Sequence, residues 1–368
     1  MQAVRAELRY NTDRSNRGAP AVIYADSLSN RGGTGVYLRR LLQGISSRDA
    51  YVLAAVARKL MPPFEALTYS ISGGYIRKVL NENIMMPSLA ASVSPSLVHL
   101  PVFAGRTPRD IPLAVTLHDL AFIRNPSWFP FLKSVYYRLQ FKKVAQRADV
   151  VIVDSEFTAT EARKLLGIEP DRIRRVYLST DSFMVDPSEF RRRFSIQAKY
   201  IVFAGTIEPR KNLAALIDSW TAVNRIRPDM YLVIAGRWGW GLNSLRKKLV
   251  NAKGIILTGE LTETMLKGCI AGAELLVYPS LYEGFGLPPL EAASAGVTSV
   301  LTPAPVLREV YSEISTFAAG YDADSISRAI LDSLESRQYP EMLIDFASNF
   351  TTERMAEQVL MVYGEFGK

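Results

Sequence analysis

The chain has 368 residues, 48% of them hydrophobic and 22% charged, the balance of a folded protein and not of a disordered one. Its length exceeds one ordinary core and points to two α/β domains. One cysteine, Cys269, and two histidines, His99 and His118, exclude an intramolecular disulfide, a cysteine-based zinc site and a multi-histidine metal cluster. The net charge of +8 is unevenly placed: residues 1–185 hold 25 Lys and Arg against 15 Asp and Glu, and the remainder is slightly acidic. A basic half of this kind is drawn to an anionic partner such as a diphosphate, anionic lipid or nucleic acid. No run of 18 uncharged apolar residues occurs, and the N-terminus lacks a signal-peptide core, so a cytosolic protein is expected.

Residues 1–19 are polar and aperiodic and read as a mobile leader. A short apolar run, AVIYA (21–25), then leads to the Gly-rich loop of Gly32, Gly33, Thr34 and Gly35, with a helical pattern from Val36. YVLAAVA (51–57), PLAVTL (112–117) and VVIVDS (150–155) are further buried-strand candidates. A Pro- and charge-rich join at 185–194 precedes a second series: YIVFAGT (200–206), MYLVIAG (230–236), GIILTG (254–259) and ELLVYPS (274–280). Strands alternating with helices imply parallel sheets covered on both faces. Two doubly wound domains, residues 20–185 and 186–351, follow from this pattern. In such sheets ligands sit beyond the carboxyl ends of the strands, so the loops there should hold the chemistry.

Four loops carry candidate residues. In YPSLYEGFGLPPLEAASAG (278–296), Glu283, Gly284, Phe285, Gly286 and Leu287 follow a strand, Pro288 and Pro289 open a helix with Glu291 in its first turn, and Gly296 fits the helix end. Backbone amides at the positive end of that helix suit phosphate or hydroxyl oxygens, and Glu283 and Glu291 are acceptors for sugar hydroxyls. In GTIEPRKN (205–212), Gly205 ends a strand, Arg210 and Lys211 form a diphosphate clamp, and Asn212 suits a helix N-cap. The Gly32–Gly35 loop departs from G-x-G-x-x-G and has no clear acidic partner about 20 residues on. His118 and Asp119 end a strand candidate in VTLHDLAF (115–122). His99, inside an apolar run, reads as structural.

Taken together, RGGTGVY, VTLHDL, VIVDSEFT, FAGTIEPRKNL and YPSLYEGFGLPPLEA resemble the family 4 retaining glycosyltransferases of the GT-B fold, in the family's order. The resemblance implies two Rossmann-like domains facing an interdomain cleft, with acceptor mainly on the first and nucleotide-sugar donor mainly on the second. It also implies a final helix, 352–366, that crosses back to the first domain. By this likeness Glu291 holds the donor ribose. Glu283, with the backbone of Phe285 and Gly286, holds the transferred sugar, and Arg210 and Lys211 neutralise the leaving diphosphate. Gly33 lies near phosphates or acceptor, His118 near the donor sugar, and the Glu260-Leu261 loop near the base. No metal and no cofactor are implied, fixed positive charge serving instead.

Within that family the chain is similar to bacterial mannosyltransferases of surface polysaccharide assembly. GDP-mannose is the expected donor, with a UDP-sugar as the alternative. A polyprenyl-diphosphate-linked glycan is the expected acceptor at the inner face of the membrane. The segment Phe131–Arg147, mixing aromatics with Lys133, Arg138, Lys142, Lys143 and Arg147, suits peripheral contact with anionic lipid. Three rivals remain. An oxidoreductase would need the missing dinucleotide fingerprint, and a sugar-nucleotide epimerase would use the donor without an acceptor. A non-catalytic nucleic-acid-binding protein would explain the basic half but not Glu283 and Glu291.

Overall fold

The computed structural model describes residues 7–8, 19–25, 28, 32–48, 52–56, 66–68, 87, 92–101, 107–181, 185–241, 245, 248–249, 252–336 and 339–366. The chain divides into two compact units. The first comprises Met1–Leu120, Val135–Ser179 and Thr352–Lys368, the second Ala121–Ser134 and Thr180–Thr351. The two units divide at residues 179–180, and a short stretch of first-half sequence groups with the second unit.

The first unit holds β1 (Glu7–Leu8), β2 (Ala21–Tyr24), α1 (Gly33–Ser46), β3 (Val52–Val56), β4 (Ala66–Thr68), β5 (Leu97–Leu100) and β6 (Leu113–Leu117). The segment Ala121–Ser134 contains α2 (Ala121–Arg124), and α3 (Phe131–Arg147) leads back into the first unit. β7 (Val150–Val153), α4 (Glu156–Leu166) and β8 (Ile173–Arg175) follow. The strands run in the order β1-β4-β3-β2-β5-β6-β7-β8, all parallel except β1, which pairs antiparallel with β4. Of the leader, only Glu7, Leu8 and Ala19 lie within the described residues. Taken from β2, the parallel strands follow the doubly wound order, with the switch point between β2 and β5. Val22, Ile23, Leu97, Val98, Val115 and Val151 are buried, which is why these strands read as continuous apolar runs and not as alternating ones.

α1 begins at Gly33, three residues before the periodic pattern, with Gly32 at its N-cap, so most of the Gly-rich loop is the first helical turn. α4 starts where the Ser155 hydroxyl accepts from the Thr158 amide at 3.1 Å, and it stops at Gly167, whose φ of 66° a side chain would resist.

The second unit holds α5 (Ser188–Arg193), β9 (Lys199–Ala204), α6 (Leu213–Ile226), β10 (Met230–Ala235), β11 (Ile255–Gly259), α7 (Glu263–Ala271) and β12 (Leu275–Tyr278). α8 (Leu287–Ser294), β13 (Ser299–Leu301), α9 (Pro305–Tyr311), β14 (Ser315–Phe317), α10 (Ala323–Glu335) and α11 (Pro340–Ser348) complete it. Its strands are all parallel in the order β11-β10-β9-β12-β13-β14, placing the switch point between β9 and β12. Phe203, Leu216, Trp220, Leu232, Ile234 and Ile330 pack in one core against this sheet.

The last helix, α12 (Thr352–Gly364), belongs to the first unit and lies against α1. Gly44 permits the approach: a Cβ there would fall 2.6 Å from both the Thr352 carbonyl oxygen and the Ala356 Cβ. Arg174 and Glu365 form an ion pair at 2.7 Å that ties its end to β8.

Candidate active site

The switch point of the second sheet brings together the loops after β9 and β12. Each loop is shaped by glycine. Gly236, after β10, sits so close to the β9 loop that a Cβ would overlap the Gly205 carbonyl oxygen, so the two strand ends meet there only without a side chain. The β9 loop then makes a single 3-10 turn, Pro209–Lys211. The amide of Leu281 donates to the Arg210 carbonyl at 2.8 Å, tying this turn to the β12 loop.

Across that tie the charged groups converge. Lys211 Nζ donates to Glu283 Oε1 at 2.6 Å and to the Tyr278 hydroxyl. Arg210 Nη1 donates to Glu283 Oε2 at 2.7 Å, and its Nε to Glu208. Glu283 is 5% exposed and Lys211 6%, while Arg210 retains more accessible surface. Burial pushes the Glu283 carboxyl upward, but the charges of Arg210 and Lys211 outweigh it and hold the group at about 2. Burial pulls Lys211 below the ordinary ammonium value, with Glu283 opposing. Glu283 is therefore a fixed carboxylate gripped from two sides, and the Arg210 guanidinium is the accessible cation beside it.

α8 starts at Leu287 because Gly286, at φ 93°, turns the chain and Pro288 and Pro289 suit a first turn. The buried Tyr311 hydroxyl donates to the Gly286 carbonyl at 2.7 Å and fixes that turn. The helix begins at Leu287, one residue before Pro288, so Glu291 lies in the second turn of α8 and not in the first. Gly296, at φ 71°, follows the helix end as the sequence suggests. Asn212 occupies the N-cap of α6, but in the left-handed region, so its side chain does not cap and instead donates to the Tyr321 carbonyl at 2.9 Å.

In the first unit, His118 ends β6 and Asp154 ends the adjacent β7. His118 Nδ1 lies 2.7 Å from Asp154 Oδ2, and the Asp154 carboxylate is buried. Burial alone would depress His118. The charge and hydrogen bond of Asp154 outweigh it and raise the ring above the usual histidine range, with Asp119 adding to the effect. The Tyr37 ring meets His118 edge-on at 4.7 Å. Behind it runs a buried polar chain: Tyr37 hydroxyl to Thr116 Oγ1 at 3.2 Å, Thr116 to His99 Nε2 at 2.8 Å, and His99 Nδ1 to the Tyr363 hydroxyl of α12 at 2.6 Å. Burial, with the neighbouring His118 charge, holds His99 down at about 3, so it stays neutral as a structural histidine.

With this geometry in hand, two family descriptions match in succession. Residues 31–182 match Glycosyltransferase Family 4, and residues 186–350 match Glycosyl transferases group 1. The chain belongs to the family 4 glycosyltransferases. O-antigen chain mannosyltransferase B of Escherichia coli is 29% identical over 67% of this chain and 69% of its own length. O-antigen chain mannosyltransferase RfbU of Salmonella typhimurium is 26% identical over 59% of each chain. Among solved structures, Anabaena HepE in complex with UDP and glucose superposes with a TM-score of 0.69 at 17% identity, covering 94% of this chain and 100% of that one, a likeness of fold. The fold is GT-B, with two Rossmann-like domains, and the protein is a glycosyltransferase.

For this glycosyltransferase, Arg210, Lys211 and Glu283 come together as one ion-paired cluster, with Gly205 and Gly284–Gly286 in the two loops that carry it and Leu287 at the start of α8. Glu260 and Leu261 follow β11, two strands away from β9, and Glu260 is exposed. Gly32, Gly33, Thr34, Gly35, His118 and Asp119 lie in the first unit. Sequence reasoning missed Glu208, Tyr278, Asp154 and Tyr363. Glu208 and Asp154 stand inside quoted motifs at strand ends, a position that marks both as candidates. Tyr363 left no local signal.

Proposed function

We propose that this glycosyltransferase moves a hexose, mannose from GDP-mannose, onto a lipid-diphosphate-linked oligosaccharide during bacterial surface polysaccharide assembly. The observation that carries it is the meeting of Arg210, Lys211 and Glu283 at the switch point of the second sheet. A leaving diphosphate needs fixed positive charge, which the accessible Arg210 fork supplies. A sugar needs hydrogen-bond acceptors that stay ionised, and Glu283 is held as one. Glu291 then takes the donor ribose, the Glu260-Leu261 loop the base, and His118 the donor-sugar side of the first domain. Retention of configuration and independence of metal complete the reading. The names of the mannosyltransferase relatives support mannose. A UDP-sugar donor is the second reading, favoured by the UDP and glucose of HepE.

The acceptor side draws support from α3. Val135, Arg138, Leu139, Lys142 and Lys143 recur at helical spacing on its exposed face, with Leu139 61% exposed, while Ser134, Phe141 and Ala145 are buried. Such a face suits a peripheral position on anionic lipid. Lys133 lies outside the described side chains. Among the described residues no helix is long and apolar enough to cross a membrane.

A thermal-shift panel of GDP, UDP, ADP and dTDP sugars tests the donor, because a ligand that binds the folded state raises its melting temperature. GDP-mannose should give the largest rise. A larger rise with a UDP-sugar replaces the donor, and no rise with any of them defeats the reading.

A further inference from the structure

Residues Ala121–Ser134 belong by sequence to the first half, yet they pack within the second unit. Their contacts are aromatic. A single 3-10 turn, Pro126–Trp128, follows α2, and the indole N–H of Trp240 donates to the Trp128 carbonyl. Phe129 lies 5.7 Å from the Trp240 ring and is stacked on Phe122 at 3.9 Å. The Trp128 ring lies 6.4 Å from Tyr282, the residue immediately before Glu283.

The loop that carries Trp240 is built onto the β9 loop. Ile207 donates its amide to the Arg237 carbonyl at 2.9 Å, and Gly239 returns one to the Ile207 carbonyl at 2.9 Å. A Cβ at Gly239 would fall 2.8 Å from that carbonyl oxygen and 3.5 Å from the Glu208 Cβ. The backbone bearing Trp240 thus rests on the segment that leads to Arg210 and Lys211. Trp128 has its carbonyl held by Trp240 and its ring near Tyr282, all within one compact unit.

We propose that Trp128 is a wall of the sugar pocket, against which the hexosyl ring of the nucleotide sugar stacks, and that Trp240 is its positioning residue. The assignment rests on the glycosyltransferase reading above and adds the residue that recognises the face of the sugar. A pyranose presents C–H groups on its faces and hydroxyls on its rim. The negative face of an indole attracts the first, and a fixed carboxylate accepts from the second. Trp128 supplies the face, and Tyr282 beside it leads directly to Glu283, the carboxylate. Trp128 keeps accessible surface, unlike the core residue Trp220 at 1% exposure.

The test compares sugar-bearing with bare nucleotides on the full chain by calorimetry: GDP-mannose against GDP, and UDP-glucose against UDP. The wild-type protein should prefer one sugar-bearing ligand to its bare nucleotide. Trp128→Ala should lose that preference by about tenfold while binding the bare nucleotide within about twofold of wild type. Trp128→Tyr, which keeps an aromatic face, should retain most of it. Trp240→Phe, which keeps a ring but removes the indole N–H, should lose part of it. If Trp128→Ala unfolds, Trp128→Leu replaces it, since leucine fills space without an aromatic face. A preference intact in these variants, or an equal loss for bare nucleotide, overturns the assignment and leaves the donor reading standing. A wild-type protein that binds no nucleotide overturns both.

Discussion

Lys211 and Glu283, 72 residues apart in sequence, meet at 2.6 Å with almost no access to solvent. Arg210 engages the other carboxylate oxygen at 2.7 Å, so Glu283 is the hinge of the cluster. Removing one partner of a buried ion pair leaves an uncompensated charge, which costs about 3–5 kcal/mol. Glu283→Ala should therefore lower unfolding stability by that amount in urea titrations, far more than Glu291→Ala. The pH dependence has a definite sign. Glu283 is held at about 2 against an ordinary 4.5, so its contribution is complete above 4.5 and fades as the pH falls through 2. Stability in wild type should fall across that window, and in Glu283→Gln it should fall less. Equal slopes would mean that the carboxylate is not held by its two cations.

Kinetics should separate Lys211, inside the cluster, from Glu291 on α8. Lys211→Ala removes the ammonium that fixes Glu283 and that the proposed function assigns to the leaving diphosphate, so turnover should drop with little change in donor affinity. Glu291→Ala should instead weaken donor binding by about tenfold, the cost of a lost hydrogen bond to a charged group. Initial rates against donor concentration distinguish these outcomes. Near-normal kinetics in both variants, with the fold intact, would remove Lys211 and Glu291 from the active site.

The His118–Asp154 pair makes a prediction that needs no substrate. Asp154 raises the imidazole, aided by Asp119, while burial opposes it. In Asp154→Asn the carboxylate charge is gone and burial prevails, so the His118 titration followed by NMR should move down. A raised folded value means that the pair stabilises the fold fully below about 6.5 and less as the pH rises through the folded value. Wild-type stability should therefore decline in that range, and the variant should show a flatter profile. His99, buried near 3, should stay silent between pH 5 and 8 and so serves as the internal control.

Much of this architecture was legible because parallel strands are buried on both faces. Runs such as YIVFAGT and VVIVDS need no alternation to declare themselves: β9 begins one residue before the first, at Lys199, and β7 lies within the second. β13 and β14, with three residues each, are too short to stand out as apolar runs. The start of α1 was misplaced because glycines 33 and 35 hide a helical turn inside a loop-like composition. In the site, basic and acidic residues were read as separate ligands of one substrate. Their mutual pairing across β9 and β12 depends on strand order, which no local pattern encodes. Tyr363 reaches His99 from 264 residues away, and only the packing of α12 on α1 discloses it.

The exposed face of α3 predicts a lipid dependence. Arg138, Lys142 and Lys143 each contribute about 1 kcal/mol of attraction near an anionic surface, and Leu139 adds apolar area. Co-sedimentation with vesicles containing phosphatidylglycerol should show binding that weakens with salt. The triple change to Glu should abolish it, while circular dichroism stays that of wild type. Equal binding to neutral vesicles, or retention by the triple variant, would show that this face is merely solvated.

The turn at Gly286 is where backbone geometry and substrate binding should separate most cleanly. Its φ of 93° is hostile to any side chain, and an added Cβ would stand 2.9 Å from the Leu307 Cδ2. The carbonyl is held by the Tyr311 hydroxyl at 2.7 Å, inside a buried setting. Gly286→Ala should cost about 1–2 kcal/mol from the left-handed conformation alone, before any clash with Leu307. Tyr311→Phe leaves the backbone conformation unforced and removes one buried hydrogen bond, which costs about 1–3 kcal/mol for the unsatisfied carbonyl. The first change forces the turn and the second frees its carbonyl, so each disturbs the end of the loop that joins Glu283 to α8. Nucleotide-sugar affinity should therefore fall in each variant even at temperatures where circular dichroism reports a fully folded chain. Unchanged affinity in the folded variants would mean that the donor does not use this turn.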